Sequence, residues 1–574
     1  MEKQNQNQKE PLVRQSNQSY QINNAAKAEN LQQLIYNQPA NQAAPVKPNS
    51  QGSSQLNANP YFNQGSARPS YYSPYVPKKK TPEYIAFKNR VISVKGLAIT
   101  ILSIIFCILF TETIFFGAAG ISVPIMTIAF EGILFYSFKE KEKALSKTGV
   151  YTAVPIILLA MSFFIHYNPS TQFITWLTII GLFCIQIISL SDIRVNGIFT
   201  LDMFIKAIEN LFARPFSNFI VPFNSFKLLK NTKSKNYKNT IYILIGLMLS
   251  IPIAAILMVL FMSADAVFAV AMENITDFLG LDFKIIFWDI VLGTIFGILL
   301  AAMLTGLKYN EEKQASPAKI GDNIEAIIVG TFLTIINIFI ITFVAFQFVY
   351  LFGGTVNITA SDMTYAEYAR RGFFELSTAS GIIFAIALFV LIMTKKKDGR
   401  LSLWIKLATV CLCLCDGVLL ISAVKRMLLY VNVYGLSTKR TLTLWFMAII
   451  GLCLLWIIVK CYAIKIDVMK WIGITVIIGV CILSLTNTER IIANYNVNRY
   501  LEGTSETYID INYLGNLSYT VVPEVARLMD LDKKHAGLKS IMESQQYKLS
   551  HRHRIYGFTL DQIKVSAILD KKLN

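Results

Sequence analysis

The sequence is poor in charged residues and contains only four histidines. Asp, Glu, Lys and Arg make up 16% of its 574 residues, whereas hydrophobic residues make up 54%. A soluble globular domain usually carries about 25% charged residues, so this composition indicates a membrane protein rather than a wholly soluble one. The patterns GxxxxGK[ST], HExxH and GxSxG are also missing. Their absence argues against an ATP-driven motor, a zinc protease of that type and a serine hydrolase of that type.

The eight cysteines predict no disulfide framework, because all lie in or beside apolar runs and none follows residue 486. Cys411, Cys413 and Cys415 alternate, but on a helix only Cys411 and Cys415 share a face. Packing is therefore favoured over a metal cluster. His551 and His553 offer two ligands at two-residue spacing with no third in view. The sequence thus predicts no metal, no cofactor and no catalytic site.

Eleven apolar runs are present instead, most of them 17–25 residues long. A helix rises about 1.5 Å per residue, so each run can cross a hydrocarbon core of roughly 30 Å. The sequence predicts an all-α fold: a polytopic transmembrane helix bundle of about 11 spans with a small, mostly helical C-terminal extramembrane domain. The predicted spans are 96–116, 120–138, 150–166, 173–191, 241–262, 285–306, 324–352, 365–393, 401–430, 441–459 and 469–486.

Composition divides the chain into five segments. The first 77 residues are rich in Asn, Gln, Ser, Pro and Tyr, which predicts a disordered cytoplasmic tail with a possible cytoplasmic partner. Lys78, Lys79 and Lys80 begin a basic segment that we expect to bind anionic lipid at the bilayer surface. The segments are 1–77 (tail), 78–95 (basic juxtamembrane), 96–240 (four spans and a cytoplasmic loop), 241–486 (seven spans) and 487–574 (extracellular-side domain).

The distribution of Lys and Arg among the connections orients the chain. Connections after even-numbered spans are basic, whereas those after the first and third spans contain neither Lys nor Arg. The positive-inside rule then places the N-terminus in the cytoplasm. An odd number of spans puts the C-terminal domain outside. These loops also account for the net charge of +18, so we expect no nucleic-acid partner.

The connection 192–240 contains an amphipathic pattern. Apolar residues from Leu201 to Phe212 recur at spacings of three and four. Asp202 and Lys206 lie on the opposite face, and Pro215 is expected to end the helix. The favoured interpretation is a helix in the inner interface of the bilayer, and the alternative is a helix packed on a cytoplasmic partner.

The C-terminal domain mixes helix and strand patterns. Thr488 is a candidate N-cap for a helix that runs towards Leu501 and stops at Gly503. The alternation over 508–513 is typical of a short strand, although the following helix could begin within it. Further helices are predicted over 523–531 and 559–569. We expect this domain to pack on the outer face of the bundle.

Ionisable residues at membrane depth are the strongest functional candidates, because each is costly unless paired or hydrated. Asp416 lies near the middle of the ninth span, too far from Lys425 and Arg426 for pairing, so its partner is expected on another helix. Glu112 and Asp289 lie nearer span ends, where solvation is the alternative. The structural interpretation is an interhelical hydrogen bond or ion pair, and the functional one is a proton or ion relay. The set comprises Glu112, Glu131, Asp289, Glu375 and Asp416.

Polar residues precede the eighth span. Thr364 to Glu367 fits a capping box, which predicts a helix that begins outside the membrane. Glu367, Arg371 and Glu375 follow at four-residue intervals, and Arg370 flanks them. The structural interpretation is an ion ladder along one helix face. The functional interpretation is that Arg370 and Arg371 hold the phosphate of an anionic lipid or lipid-linked ligand.

Three motifs carry a family resemblance. Leu260–Phe268 resembles LFxSADxxF, Tyr365–Glu375 resembles YAxYARxGFFEL, and Asn498–Leu514 resembles NxxRY followed by LDxxYL. Such motifs are similar to those of bacterial multi-pass proteins with a domain of unknown function, family 4173, related to family 4153. The resemblance covers roughly 241–574. It implies a bacterial inner or plasma membrane protein without an assigned activity.

The first of these motifs also has a physical interpretation. Ser263 and Asp265 follow the fifth span, where either can cap the next helical turn. The alternative is a polar site that faces Arg370 and Arg371 across an outer vestibule.

Two functional hypotheses follow from the sequence. The leading one is a non-enzymatic integral membrane scaffold, sensor or regulator, and the alternative is a secondary transporter or lipid-handling permease that uses the buried carboxylates. Eleven spans do not form two equal halves and no clear repeat is visible, which weakens the transporter hypothesis. An intramembrane enzyme is a third possibility without a catalytic constellation. A continuous polar cavity through Glu131, Asp289 and Asp416 would favour the transporter.

Overall fold

The computed structural model describes most of the chain from residue 82 to residue 573, within a compact unit that spans Lys78–Asn574. The predictions for the 1–77 tail, for Lys78, Lys79 and Lys80, and for His551 and His553 lie outside the described residues. The described residues are 82–115, 118–140, 144–191, 193, 195–228, 246, 250, 253–254, 256–258, 260–279, 283–309, 323–352, 373–396, 401–463, 465–503, 509–531, 537–550 and 556–573.

Long apolar helices make up the larger part of the described chain. Nine helices within the described residues are long and apolar enough to span a membrane, and a further apolar helix is slightly shorter. The predicted all-α membrane bundle is therefore confirmed, with the count of about 11 spans approximate. The predicted span 241–262 lies largely outside the described residues. The bundle helices are α1 (Pro82–Arg90), α2 (Val94–Phe110, extended by a π-helical turn over Thr111–Phe115), α3 (Ser122–Phe138), α4 (Lys147–Tyr151), α5 (Ala153–Ile165), α6 (Pro169–Leu190), α7 (Leu201–Ile208), α8 (Arg214–Ser217), α9 (Ala266–Leu279), α10 (Phe283–Tyr309), α11 (Ala326–Phe352), α12 (Phe373–Met393), α13 (Leu403–Tyr434), α14 (Thr438–Tyr462) and α15 (Val468–Leu485).

Helices α2 and α10 approach closely because α10 presents two glycines to α2. A Cβ atom on Gly293 would lie 2.5 Å from Cα of Ile108, and one on Gly297 would lie 2.5 Å from Cα of Ile104. Small residues four positions apart let the backbones of two membrane helices come together. Residue numbers rise along α2 as they fall along α10, so the two helices are antiparallel.

Seven other bundle helices form two packed groups. Helices α11 to α14 share one core, which includes Leu333, Leu412 and Leu454. Helices α5, α6 and α15 meet around Ile156, and α15 also packs against α14, which joins the groups. Apart from one isolated bridge between Ile324 and Thr394, the described residues form no β-structure.

Two lysines bind the carbonyl groups at the C-terminus of α3. Lys95 donates a hydrogen bond to the Lys139 carbonyl, and Lys308 donates one to the Ser137 carbonyl. Cations are favourable at a helix C-terminus, where unpaired carbonyl groups carry partial negative charge. We call this end of the bundle the basic end.

The amphipathic segment continues further than the sequence predicts. Helix α7 passes through a π-helical turn into α8, so the prediction that Pro215 ends the helix is wrong. Pro215 lies in the first turn of α8, where its missing N–H costs no hydrogen bond. Phe204 and Phe212 are more than 60% exposed, whereas Asp202 is buried beneath them and accepts from the Asn196 N–H at 3.0 Å. The apolar face is thus turned away from the protein.

The C-terminal domain is helical, and two predictions for it need correction. Asn487, not Thr488, caps the first helix, because its side chain accepts from the Arg490 N–H at 3.1 Å. Residues 509–513 form no strand: Asp510 caps a helix through the Tyr513 N–H at 2.9 Å. The structure also contains a helix over 537–550 that the sequence pattern does not predict. The domain comprises α16 (Thr488–Leu501), α17 (Ile511–Asn516), a 3-10 turn (Tyr519–Val521), α18 (Val522–Leu531), α19 (Gly537–Ser550) and α20 (Leu560–Leu573).

Candidate functional site

The C-terminal domain is seated on one end of the bundle, which we call the domain end. The turn 556–558 lies against the start of α3, where the Ile121 N–H donates to the Phe558 carbonyl at 2.9 Å. Gly120 allows this approach, because a Cβ atom there would lie 2.4 Å from the carbonyl carbon of Gly557. The domain therefore contacts the connection between α2 and α3 through main-chain atoms.

Glu489 forms the central polar contact of this junction. Its side chain is buried, with 2% of the residue exposed. One carboxylate oxygen accepts from the Ser518 N–H at 2.7 Å, and the other accepts from the Ser170 hydroxyl. Because Glu489 lies on α16, Ser170 on α6 and Ser518 between α17 and α18, one carboxylate joins the membrane bundle to two parts of the domain.

A second set of hydrogen bonds lies beside Glu489. The Asn168 amide donates to the Thr488 hydroxyl and to the Thr486 carbonyl, each at 3.2 Å. The His166 imidazole lies 2.9 Å from the Ser484 carbonyl and donates to it. Burial lowers the pKa of His166, so the ring is neutral near pH 7. The connection between α5 and α6 is thereby fixed to the end of α15.

A cavity of about 510 Å³ opens at the same junction. The rings of Tyr167 and Tyr519 stack along it, with centroids 5.4 Å apart and an interplanar angle of 12°. Lys548 is the charged side chain of its lining and donates to the Gly515 carbonyl at 3.1 Å. The bundle side of the lining is mostly apolar apart from Gln172, and the domain side is mostly polar apart from Leu517. The lining residues are Ala118, Ala119, Tyr167, Pro169, Gln172, Asn516, Leu517, Ser518, Tyr519 and Lys548.

The close pairing of α2 and α10 brings Glu112 and Asp289 together. Asp289 lies one helical turn before Gly293, and Glu112 lies one turn after Ile108, so the register of the glycine contacts places the carboxyl groups opposite each other. Asp289 is 2% exposed. The Thr111 hydroxyl donates to the main-chain carbonyl of Asp289 at 3.1 Å.

Tyr556 covers this carboxyl pair from the domain side. Its phenol group interacts with Glu112 through a hydrogen bond and lies near Asp289. Burial, together with the two neighbouring carboxyl groups, raises the pKa of Tyr556. The phenol therefore remains protonated and can donate. The Ser122 N–H donates to the Tyr556 carbonyl at 3.3 Å, which holds the turn in place.

The other predicted carboxylates lie in separate surroundings. Glu131 on α3 is buried and accepts from the Gln186 amide of α6 at 2.7 Å, an interhelical hydrogen bond of the kind expected. Asp416 on α13 is fully buried beside Ser380 of α12, a neighbour on another helix. Glu131, Asp289 and Asp416 thus contact different helices, and none of them lines the cavity at the junction.

The structure describes only some of the polar residues that the sequence predicts on the outer side. Asp265 caps α9, since its side chain accepts from the Val267 and Phe268 N–H groups at 2.8 and 2.9 Å. Ser263 is exposed two residues before it, and Glu375 is exposed in the first turn of α12, where a negative charge is favourable. Glu367, Arg370 and Arg371 lie outside the described residues, as does the predicted capping box.

Sequence reasoning missed the contacts that build the junction. It placed Glu489 in a first helical turn without its partners, and it treated Glu112 and Asp289 as separate residues. A sequence signal for the pair exists: Asp289, Gly293 and Gly297 recur every four residues on one face of α10. No comparable signal marks Glu489, because Ser170 and Ser518 are remote in sequence.

Comparison with known proteins gives one family. The family model described as a domain of unknown function (DUF4153) matches residues 153–528, which include α5, most of the bundle and the first part of the C-terminal domain. The expected resemblance to a family of unknown function related to this one is therefore confirmed, and the matched region begins earlier than expected. No curated protein and no solved structure matches the chain.

Proposed function

The chain belongs to the DUF4153 family, and we propose that it is a non-enzymatic scaffold, sensor or regulator of the bacterial cell membrane. The observation that carries this proposal is the seating of the C-terminal domain on the ends of membrane-spanning helices. The buried carboxylate of Glu489 links that domain to α6. A change at the domain, such as occupation of the junction cavity, can therefore reach the helices through contiguous contacts.

We further propose that the basic end faces the cytoplasm, with the N-terminus inside and the C-terminal domain outside. Lys95 and Lys308 at this end support the orientation, since cytoplasmic connections carry an excess of Lys and Arg. In this orientation the amphipathic helix α7 would lie in the inner membrane interface. Its exposed apolar face, opposite a buried Asp202, suits a helix that lies in the membrane interface.

Lipid is the proposed partner on both sides of the membrane. Lys78, Lys79 and Lys80 would bind anionic lipid of the inner leaflet, because clustered basic residues are attracted to a negatively charged surface. The 1–77 tail would bind a cytoplasmic partner. On the outer side, Arg370 and Arg371 would bind the phosphate of a lipid headgroup.

A secondary transporter or lipid-handling permease is the alternative. Asp416 favours it, because a fully buried carboxyl group at membrane depth is often part of an ion pathway. The separate surroundings of Glu131, Asp289 and Asp416 favour the scaffold, since a relay needs groups that can exchange a proton or ion. We therefore rank the scaffold, sensor or regulator first.

Proton flux into proteoliposomes separates the two functions. We expect the same background flux from the wild-type protein, from Asp416→Asn and from empty liposomes. Flux that requires the wild-type protein and is abolished by Asp416→Asn would show that the alternative is correct.

Affinity capture tests the role of the tail. The full chain and a matched chain without residues 1–77, both purified from the membrane, would be compared. We expect a defined cytoplasmic protein to bind the full chain only. Identical sets of proteins from both chains would contradict a scaffold that acts through its tail.

A further inference from the structure

Glu112 and Asp289 form a carboxyl pair in which each side chain is a hydrogen-bonding neighbour of the other. Asp289 is buried, neither of its carboxylate oxygens makes a hydrogen bond of good geometry among the described residues, and its polar neighbours are the Glu112 carboxyl group and the Thr111 hydroxyl. The nearby Thr111 hydroxyl has one proton, which main-chain carbonyl groups accept, including those of Ile108 at 2.8 Å and Asp289 at 3.1 Å. Two ionised carboxylates in contact, in apolar surroundings, are strongly unfavourable. The pair therefore needs one positive charge between its oxygens.

We propose that Glu112 and Asp289 are a binding site for a single proton, shared between the two carboxyl groups. One carboxyl group retains its proton and donates a hydrogen bond to the other, so the pair carries one negative charge. Tyr556 donates to Glu112 from the domain side and stabilises that charge. The proton exchanges with water at the domain end of the bundle.

Direct contact between the two carboxyl groups favours a proton over a metal ion. Calcium takes about six to eight oxygen ligands, and magnesium requires nearly octahedral geometry. The described side chains at the site supply at most six oxygens, from two carboxyl groups and the hydroxyl groups of Thr111 and Tyr556, and the carboxyl groups bond to each other instead of surrounding a central ion. A shared proton needs only two facing oxygens.

The proton site is part of the contact between the bundle and the domain. The Tyr556 turn is fixed to α3 by main-chain hydrogen bonds, and its phenol lies on the carboxyl pair. Loss of the proton would leave two negative charges in contact between α2 and α10, so the pairing of these helices beneath the turn should weaken as the pH rises. The titratable groups described around the pair are Glu112 and Asp289 on the facing helices and Tyr556 on the turn. The structure describes the backbone but not the side chains of Glu273, Asp277 and Lys284, and Asp282, His551, Arg552, His553 and Arg554 lie outside the described residues.

Infrared difference spectroscopy of the full chain in lipid nanodiscs tests the proposal. At neutral pH the wild-type protein should show a carbonyl band of a protonated carboxyl group that disappears at alkaline pH. Glu112→Gln and Asp289→Asn should each remove that same band, because each supplies an amide donor in place of the shared proton. Glu131→Gln is the matched control and should leave it, since Glu131 already accepts from Gln186.

Three results would overturn the proposal. The first is a wild-type protein without a titrating carboxyl band, which can be judged even if a variant does not fold. The second is a band that survives in both pair variants. The third is a thermal midpoint that rises with added sodium or calcium in the wild-type protein but does not rise in Asp289→Asn. That result would identify a metal site.

Discussion

Glu489→Ala removes the carboxylate that joins the C-terminal domain to the bundle. The Ser518 N–H, buried and bonded to Glu489 at 2.7 Å, would lose its acceptor. An unsatisfied buried donor costs about 1–3 kcal/mol. The Ser170 hydroxyl is only partly buried, so water can replace much of its bond. We therefore expect local opening of the junction to become easier by about 2–4 kcal/mol.

Amide hydrogen exchange measures this opening directly. Where exchange follows a rapid opening equilibrium, 2–4 kcal/mol corresponds to roughly 30- to 700-fold faster exchange at Ser518. Glu489→Gln keeps one acceptor oxygen and should produce a smaller acceleration. Glu502→Ala, an exposed residue at the end of the same helix, is the matched control and should change stability by less than about 0.5 kcal/mol.

Exchange at Ser518 that is the same in Glu489→Ala and Glu502→Ala would refute this reasoning. It would mean that Glu489 does not hold the domain on α6. Acceleration spread evenly over all helices, rather than concentrated at the junction, would also contradict it, because that pattern reports global destabilisation.

Three further predictions follow from other contacts. Gly293→Ala should lower the thermal midpoint in nanodiscs, because overpacking costs about 1–3 kcal/mol. Gly417→Ala is the control and should leave the midpoint unchanged, since the space around its Cβ position is open. Equal midpoints for the two variants would contradict the close pairing of α2 and α10. Asp416→Asn should leave the thermal midpoint unchanged or raise it, because an amide carries no charge to bury, and a clear loss would indicate a bound cation. The pKa of His166 is lowered by burial, so the unfolded state binds the proton more tightly and stability should fall as the pH decreases below about 6.5. That loss, measured by thermal unfolding, should be smaller in His166→Gln, and an identical pH profile would refute it.

The sequence predicts the bundle well because apolar length is a local property. The start of α13 and the end of α15 fall within a few residues of their predicted limits, since hydropathy and a capping residue such as Ser402 act locally. Pro215 shows the limit of such rules. A proline excludes a helix only where its N–H is needed, and the π-helical turn before it removes that need.

The candidate site depends on contacts that no local pattern encodes. Glu489 meets Ser518 and Ser170 only after the domain is seated, and Tyr556 meets Glu112 only after the turn reaches α3. The prediction of a strand over 508–513 was wrong for a related reason. The alternating residues belong instead to the start of a helix that Asp510 caps. Leu514 of this helix packs in the core of the domain.

Cysteine labelling in intact bacterial cells tests the central claim that the bundle holds the C-terminal domain on the outer side. The eight native cysteines would first be replaced, and Lys564→Cys and Lys395→Cys would be made separately. Lys564 is exposed on α20, and Lys395 is exposed at the opposite end of the bundle. A membrane-impermeant maleimide should label Lys564→Cys in intact cells and Lys395→Cys only after lysis. The reverse pattern would contradict the orientation, and labelling of both before lysis would contradict their separation by the membrane.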